Sequence, residues 1–132
     1  MSVEPSQPAA VALVAEYWRR MQSNDFAHAA ALFGDDYLLD WPQSNERIRG
    51  RERFVRINAE YPAHGPWRFT VHRIVGDAVQ AVSEVSVTDG VQSARAITFS
   101  EVRDGLIRHQ TEFWPDPYPA PAGRSHLVEP LA

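Results

Sequence analysis

WRFTVHRIVGDAVQAVSEVSVTDGVQSARAITFSEVRDGLIRHQTEFW, residues 67–114, decides the fold class. Through this stretch polar and apolar side chains alternate with a period of two, the pattern of half-buried strands. Three turn signals divide it: Gly76-Asp77, Asp89-Gly90 and Asp104-Gly105. An Asp-Gly pair between alternating segments favours a tight hairpin turn. Strands near 67–75, 78–88, 91–102 and 106–114 are therefore predicted to form an antiparallel meander.

Upstream the period changes. Between residues 8 and 22, Val11, Val14, Tyr17, Trp18 and Met21 recur at three- and four-residue spacings, the stripe of an amphipathic helix with Pro8 in its first turn. After Ser23 and Asn24, either of which can cap, a second helix is predicted over Asp25–Phe33, stopped by Gly34. Tyr37–Trp41 reads as a short strand ended by Pro42, residues 43–50 as a polar loop, and Arg51–Tyr61 as a third helix closed by Pro62. Helices grouped before strands predict an α+β fold, with three helices packed on a short first strand plus a four-stranded meander. The proline-rich tail, residues 115–132, cannot continue a central strand and is expected to run over the surface.

The 132 residues suit a single domain spanning 1–132. A formal charge of −4 argues against nucleic acid as a partner, because backbone phosphates demand a basic surface. No run of eighteen apolar residues is present, and the first ten positions lack a basic segment followed by an apolar one, so no membrane association and a cytoplasmic location are expected. There is no cysteine, which removes thiolate chemistry, and every basic residue apart from histidine is arginine, which removes a lysine Schiff base. Histidines 28, 64, 72, 109 and 126 show no spacing that would place two imidazoles on one ion, so no metal site is predicted.

Three segments carry a family resemblance: EYWRRMQSNDFAHAAALFGDDYLLDWP (16–42), RIRGRERF (47–54) and TEFWPDPY (111–118). Together they resemble the NTF2-like superfamily, in particular the SnoaL-like proteins and the ketosteroid isomerases. That resemblance implies a cone in which the three helices close a strongly curved sheet over a ligand pocket. It fixes no reaction, since the fold hosts isomerases, cyclases, dehydratases, epoxide hydrolases and binding modules. In the isomerases a helix-one tyrosine donates to the oxyanion, an aspartate just before a proline is the base, and a late-strand acid assists. Tyr17 falls at the donor position, Trp41 at the base position, and Thr98 near the late acid. Asp40 lies one residue early and is expected on the face opposite Trp41.

If Trp114 faces the pocket, as the matching tryptophan of the isomerases does, alternation brings Gln110 and Glu112 to the same face. Glu112 is then the first candidate for a general base, walled by Trp41, Phe54 and Trp114 and desolvated by them. Glu84 lies on a polar strand face with Gln80, Ser86 and Thr88; that face is either solvent-exposed or the lining of a pocket. Asp40 is either a catalytic acid or the partner of a loop backbone, and His72 either an acid–base partner or a surface side chain. The five arginines from Arg47 to Arg56 are either an anion-binding rim or a solvated helix face.

The resemblance thus implies a cofactor-free isomerase, cyclase or dehydratase that moves a proton next to a carbonyl of a small, largely apolar molecule. Glu112, Glu84 and Asp40 are the candidate acids and bases, and Tyr17 the oxyanion donor. Trp41, Phe54, His72, Gln110 and Trp114 are the candidate binding residues. The alternative is a non-catalytic binding or dimerisation module that lost its base, as Trp41 at the base position suggests. A homodimer is expected by analogy with such proteins.

Overall fold

The computed structural model describes residues 7–132. Helix α1 (Ala9–Met21) buries Val14, Tyr17, Trp18 and Met21, the stripe its spacing predicts. Its first turn is tied to the sheet, the Ala10 amide donating to the Asp77 carbonyl at 3.2 Å.

Helix α2 (Phe26–Ala30) is capped by Asp25, whose carboxylate accepts from the His28 amide at 3.2 Å. It stops short of the expected Phe33. Phe33 instead opens strand β1 (Phe33–Trp41) and stacks on Tyr37, the ring centroids 3.7 Å apart. Gly34 therefore lies inside a strand and ends no helix. The Arg108 side chain crosses it so closely that a Cβ there would meet Cδ at 2.5 Å.

The expected loop over 43–50 is the second correction. It holds a 3-10 turn (Pro42–Ser44), Asn45 at φ 56°, and strand β2 (Glu46–Arg49), which pairs antiparallel with β1. Four residues containing one apolar side chain, Ile48, are too few for alternation to reveal, so tertiary pairing rather than local pattern makes this strand. Helix α3 (Gly50–Glu60) follows and buries Phe54 over the rings of Phe33 and Tyr37. Full burial of a side chain of that size contributes about 1.5–3 kcal/mol.

The long strands are β3 (Arg68–Gly76), β4 (Gln80–Thr88), β5 (Ser93–Arg103) and β6 (Leu106–Phe113), each boundary within two residues of expectation. One six-stranded sheet results, in the order β2-β1-β6-β5-β4-β3. Its single departure from the predicted antiparallel arrangement is β1 beside β6, which run parallel. The edge of β3 is blunted by two side-chain amides from the α1–α2 loop. Gln22 exchanges hydrogen bonds with the backbone of Phe69, and Asn24 does the same with Trp67 at 2.7 and 2.8 Å.

One face of the sheet, carrying Ala81, Val85, Ala96 and Ile107, packs under the helices to form the core. The other face is open. After β6 the chain is pinned where Gln43 grips the backbone of Trp114, accepting from its N–H at 2.5 Å and donating to its carbonyl at 3.2 Å; the tail beyond is exposed.

Candidate functional site

Between the helices and the inner face of the sheet lies a chamber of about 430 Å³. Tyr17 and Trp18 reach it from α1, Trp41 from β1, Phe54 from α3, and Glu112 and Trp114 from β6 and the residue just after it. Tyr61, Trp67 and Phe69 complete a largely aromatic wall.

Glu112 is 6% exposed within this wall. Its Oε1 accepts from Trp41 Nε1 at 3.0 Å, and its Oε2 from Thr98 Oγ1 at 2.6 Å. Burial pushes its carboxyl above the usual glutamate range, while the Thr98 and Trp41 donors pull the other way. A carboxyl so placed is desolvated, oriented by two donors, and still has lone pairs free to take a proton.

Thr98 is itself fully buried and stands opposite Glu112 in the strand pairing, with Ser83 opposite Thr98 on its other side. The Ser83 hydroxyl accepts from Trp18 Nε1 at 3.0 Å. A polar row thus crosses the inner face beneath aromatic walls. Tyr17 is 2% exposed. Burial raises that hydroxyl well above the usual tyrosine range, the Glu112 carboxylate adds to the rise, and the Gln110 amide opposes it. The two groups line one cavity, and the Glu112 carboxylate disfavours ionisation of the tyrosine.

Gln110 faces inward but lies below the chamber rather than on its wall. Its amide is committed, accepting from the Tyr37 hydroxyl at 2.5 Å and donating to Ser100 at 3.1 Å. Glu84, Asp40 and His72 are all on the outer face. Glu84 sits between Arg73 at 2.8 Å and Arg95 at 2.6 Å, which hold its carboxyl low. The polar face of β4 is therefore the outer one.

Asp40 accepts from Arg47 at 2.6 and 2.9 Å and lies 2.8 Å from His109 Nε2; these partners, Arg47 foremost, hold its carboxyl down to about 2. His72 is the extra residue of a β-bulge in β3 and meets Ser86 at 2.6 Å. Of the nine candidates, then, Glu112, Tyr17, Trp41, Phe54 and Trp114 converge on the chamber and four do not.

Sequence reasoning missed two parts of this site. Thr98 is the donor that holds Glu112, a role that depends on strand register and leaves no local signal in the sequence. Glu46 and Asp116, exposed at the chamber's rim, carried no signal beyond lying near Trp41 and Trp114 in the chain. Among the described residues no group of His, Asp and Glu side chains is arranged to hold a metal ion, and no helix is long and apolar enough to cross a membrane.

The SnoaL-like domain profile matches residues 14–110. A protein from Kribbella flavida DSM 17836, provisionally named a ketosteroid isomerase, is 38% identical; the match covers 94% of this chain and 90% of that one, with a TM-score of 0.85. An NTF-2 like protein of unknown function from Burkholderia xenovorans LB400 is 28% identical over 94% of this chain and 96% of its own, with a TM-score of 0.77. An LEH-like epoxide hydrolase of M. tuberculosis is 22% identical over 81% and 83%, with a TM-score of 0.65, and shares the fold. No curated protein matches significantly.

Proposed function

The chain belongs to the SnoaL-like domain family, a premise from which we propose that it is a cofactor-free isomerase, cyclase or dehydratase acting by proton transfer beside a carbonyl of a small molecule. One observation carries this reading: a buried Glu112 carboxyl, oriented by Trp41 and Thr98, shares an aromatic chamber with the Tyr17 hydroxyl. Glu112 takes the proton α to the carbonyl, and Tyr17 donates to the oxygen on which negative charge develops. The raised carboxyl suits the task, because a base whose conjugate acid titrates nearer neutrality also returns the proton readily.

The test is deuterium incorporation α to the carbonyl of cyclohexanone and 2-tetralone in D2O, followed by NMR. Glu112→Gln is expected to lower any enzyme-dependent exchange by about two orders of magnitude or more. Tyr17→Phe should lower it with little change in ketone binding. Exchange that survives Glu112→Gln overturns the assignment.

A second reading is favoured by the fact that both Glu112 oxygens already have donors. In it the chamber binds a ligand without transforming it. Tight ketone binding with no exchange above buffer would establish it. Epoxide opening through an Asp–Arg–Asp set has less support, because no arginine lines the chamber among the described residues. A homodimer formed through the open outer face of the sheet completes the proposal.

A further inference from the structure

The chain carries thirteen arginines and five histidines, yet among the described residues none of them lines the chamber. Among the described residues the ionisable side chains that line it, besides two tyrosines, are carboxyls: Glu112 within, and Glu46 and Asp116 at the rim. Their placement is not scattered. Glu46 pairs with Trp41 across the β1–β2 hairpin, and Asp116 follows Trp114 by two residues. Trp41 and Trp114 meet edge to face with ring centroids 6.5 Å apart. An aromatic pair thus stands at the mouth, and the chamber lining there also includes the carboxylates of Glu46 and Asp116. Gln43, which grips both the N–H and the carbonyl of Trp114, fixes that ring's backbone. Tyr61 and Trp67 add a second edge-to-face pair to the wall, with centroids 5.9 Å apart.

The faces of aromatic rings carry negative potential and attract organic cations, most strongly indole and most strongly where water is displaced. A carboxylate beside such a ring adds to the attraction and repels anions. Among the described residues no positive group lines the mouth or the wall to receive a carboxylate, a phosphate or a thioester's phosphorylated carrier. We infer that the molecule this chamber takes is a small carbonyl compound bearing an amine or quaternary ammonium group. Its cationic end lies at the Trp41–Trp114 mouth between Glu46 and Asp116, and its carbonyl end reaches inward to Tyr17 and Glu112. The inference rests on the chamber being the working site proposed above, and it adds the charge of the substrate.

Three probes of nearly one shape test it by calorimetric titration of the full chain. They are (2-oxopropyl)trimethylammonium, its neutral isostere 4,4-dimethylpentan-2-one, and the anion 3,3-dimethylbutanoate. The ammonium ketone is expected to bind at least tenfold more tightly than the neutral ketone, with no detectable binding of the anion. The double variant Glu46→Gln, Asp116→Asn, exposed and outside the core, should cut the ammonium preference several-fold and leave the neutral ketone unchanged. Equal affinity for the ammonium and neutral ketones, or binding of the anion at least as tight, overturns the inference and leaves the proton-transfer reading standing. Failure of all three to bind overturns both.

Discussion

Thr98 stands directly opposite Glu112 in the β5–β6 pairing and donates its buried hydroxyl to Oε2 at 2.6 Å. This contact aims the carboxyl and moderates the effect of burial on it. Without it, one oxygen of a nearly dry carboxylate would lose its donor.

Thr98→Val keeps the shape and removes the hydroxyl. It is expected to cost about 1–3 kcal/mol in urea unfolding, the range for stripping a partner from a buried polar group. Loss of a donor to the ionised form should raise the Glu112 carboxyl further. The acid limb of any pH–rate profile then moves to higher pH, and Thr98→Ser restores it.

The stability of the folded chain should fall as pH rises from 4.5 through the raised Glu112 value. Within that window the unfolded chain has released a proton that the folded chain still holds, so the slope of unfolding free energy against pH is negative. Glu112→Gln should flatten this part of the profile, measured by urea unfolding between pH 4 and 8. An unchanged slope would show that Glu112 titrates as an ordinary glutamate.

Asp40 has the opposite sign. Its carboxyl is held down to about 2 from the ordinary 3.8, chiefly by Arg47, so its contribution is fully present above 3.8 and is lost as pH falls through 2. Asp40→Asn should remove that acid-side loss. Because the residue lies on the outer face, ligand binding in the chamber should be unaffected at neutral pH.

On the open side of the sheet Phe99, 46% exposed, meets Phe113 edge to face at 6.1 Å, and Ile97 pairs across the strands with Phe113. If two copies meet through this face, Phe99→Arg should convert a dimer to a monomer in light scattering. Far-UV circular dichroism should stay unchanged, since the side chain supports no core. A wild-type monomer at micromolar concentration would refute the dimer.

The sequence by itself determined the architecture. The Tyr17, Trp18 and Met21 stripe could be only an amphipathic helix, and the alternation from Trp67 to Trp114, cut by Gly76-Asp77, Asp89-Gly90 and Asp104-Gly105, could be only a meander. Periodicity is a local property, and burial on one side enforces it. Strand β2 and the early start of β1 were not legible, because each exists only through its pairing with a distant or newly formed strand.

The site was decided by one residue that no local pattern reveals. Before it, Val102 pairs with Ile107; after it, Glu101 pairs with His109, so Arg108 is the extra residue of a bulge in β6. Ile107 points into the core, and plain alternation from it would have turned Gln110 and Glu112 outward. The bulge reverses the parity and sets Thr98, rather than Ile97, against Glu112. Reading backward from Trp114 gave the correct face for Glu112, but the partners that make its carboxyl a candidate base were fixed only when the sheet closed around that kink.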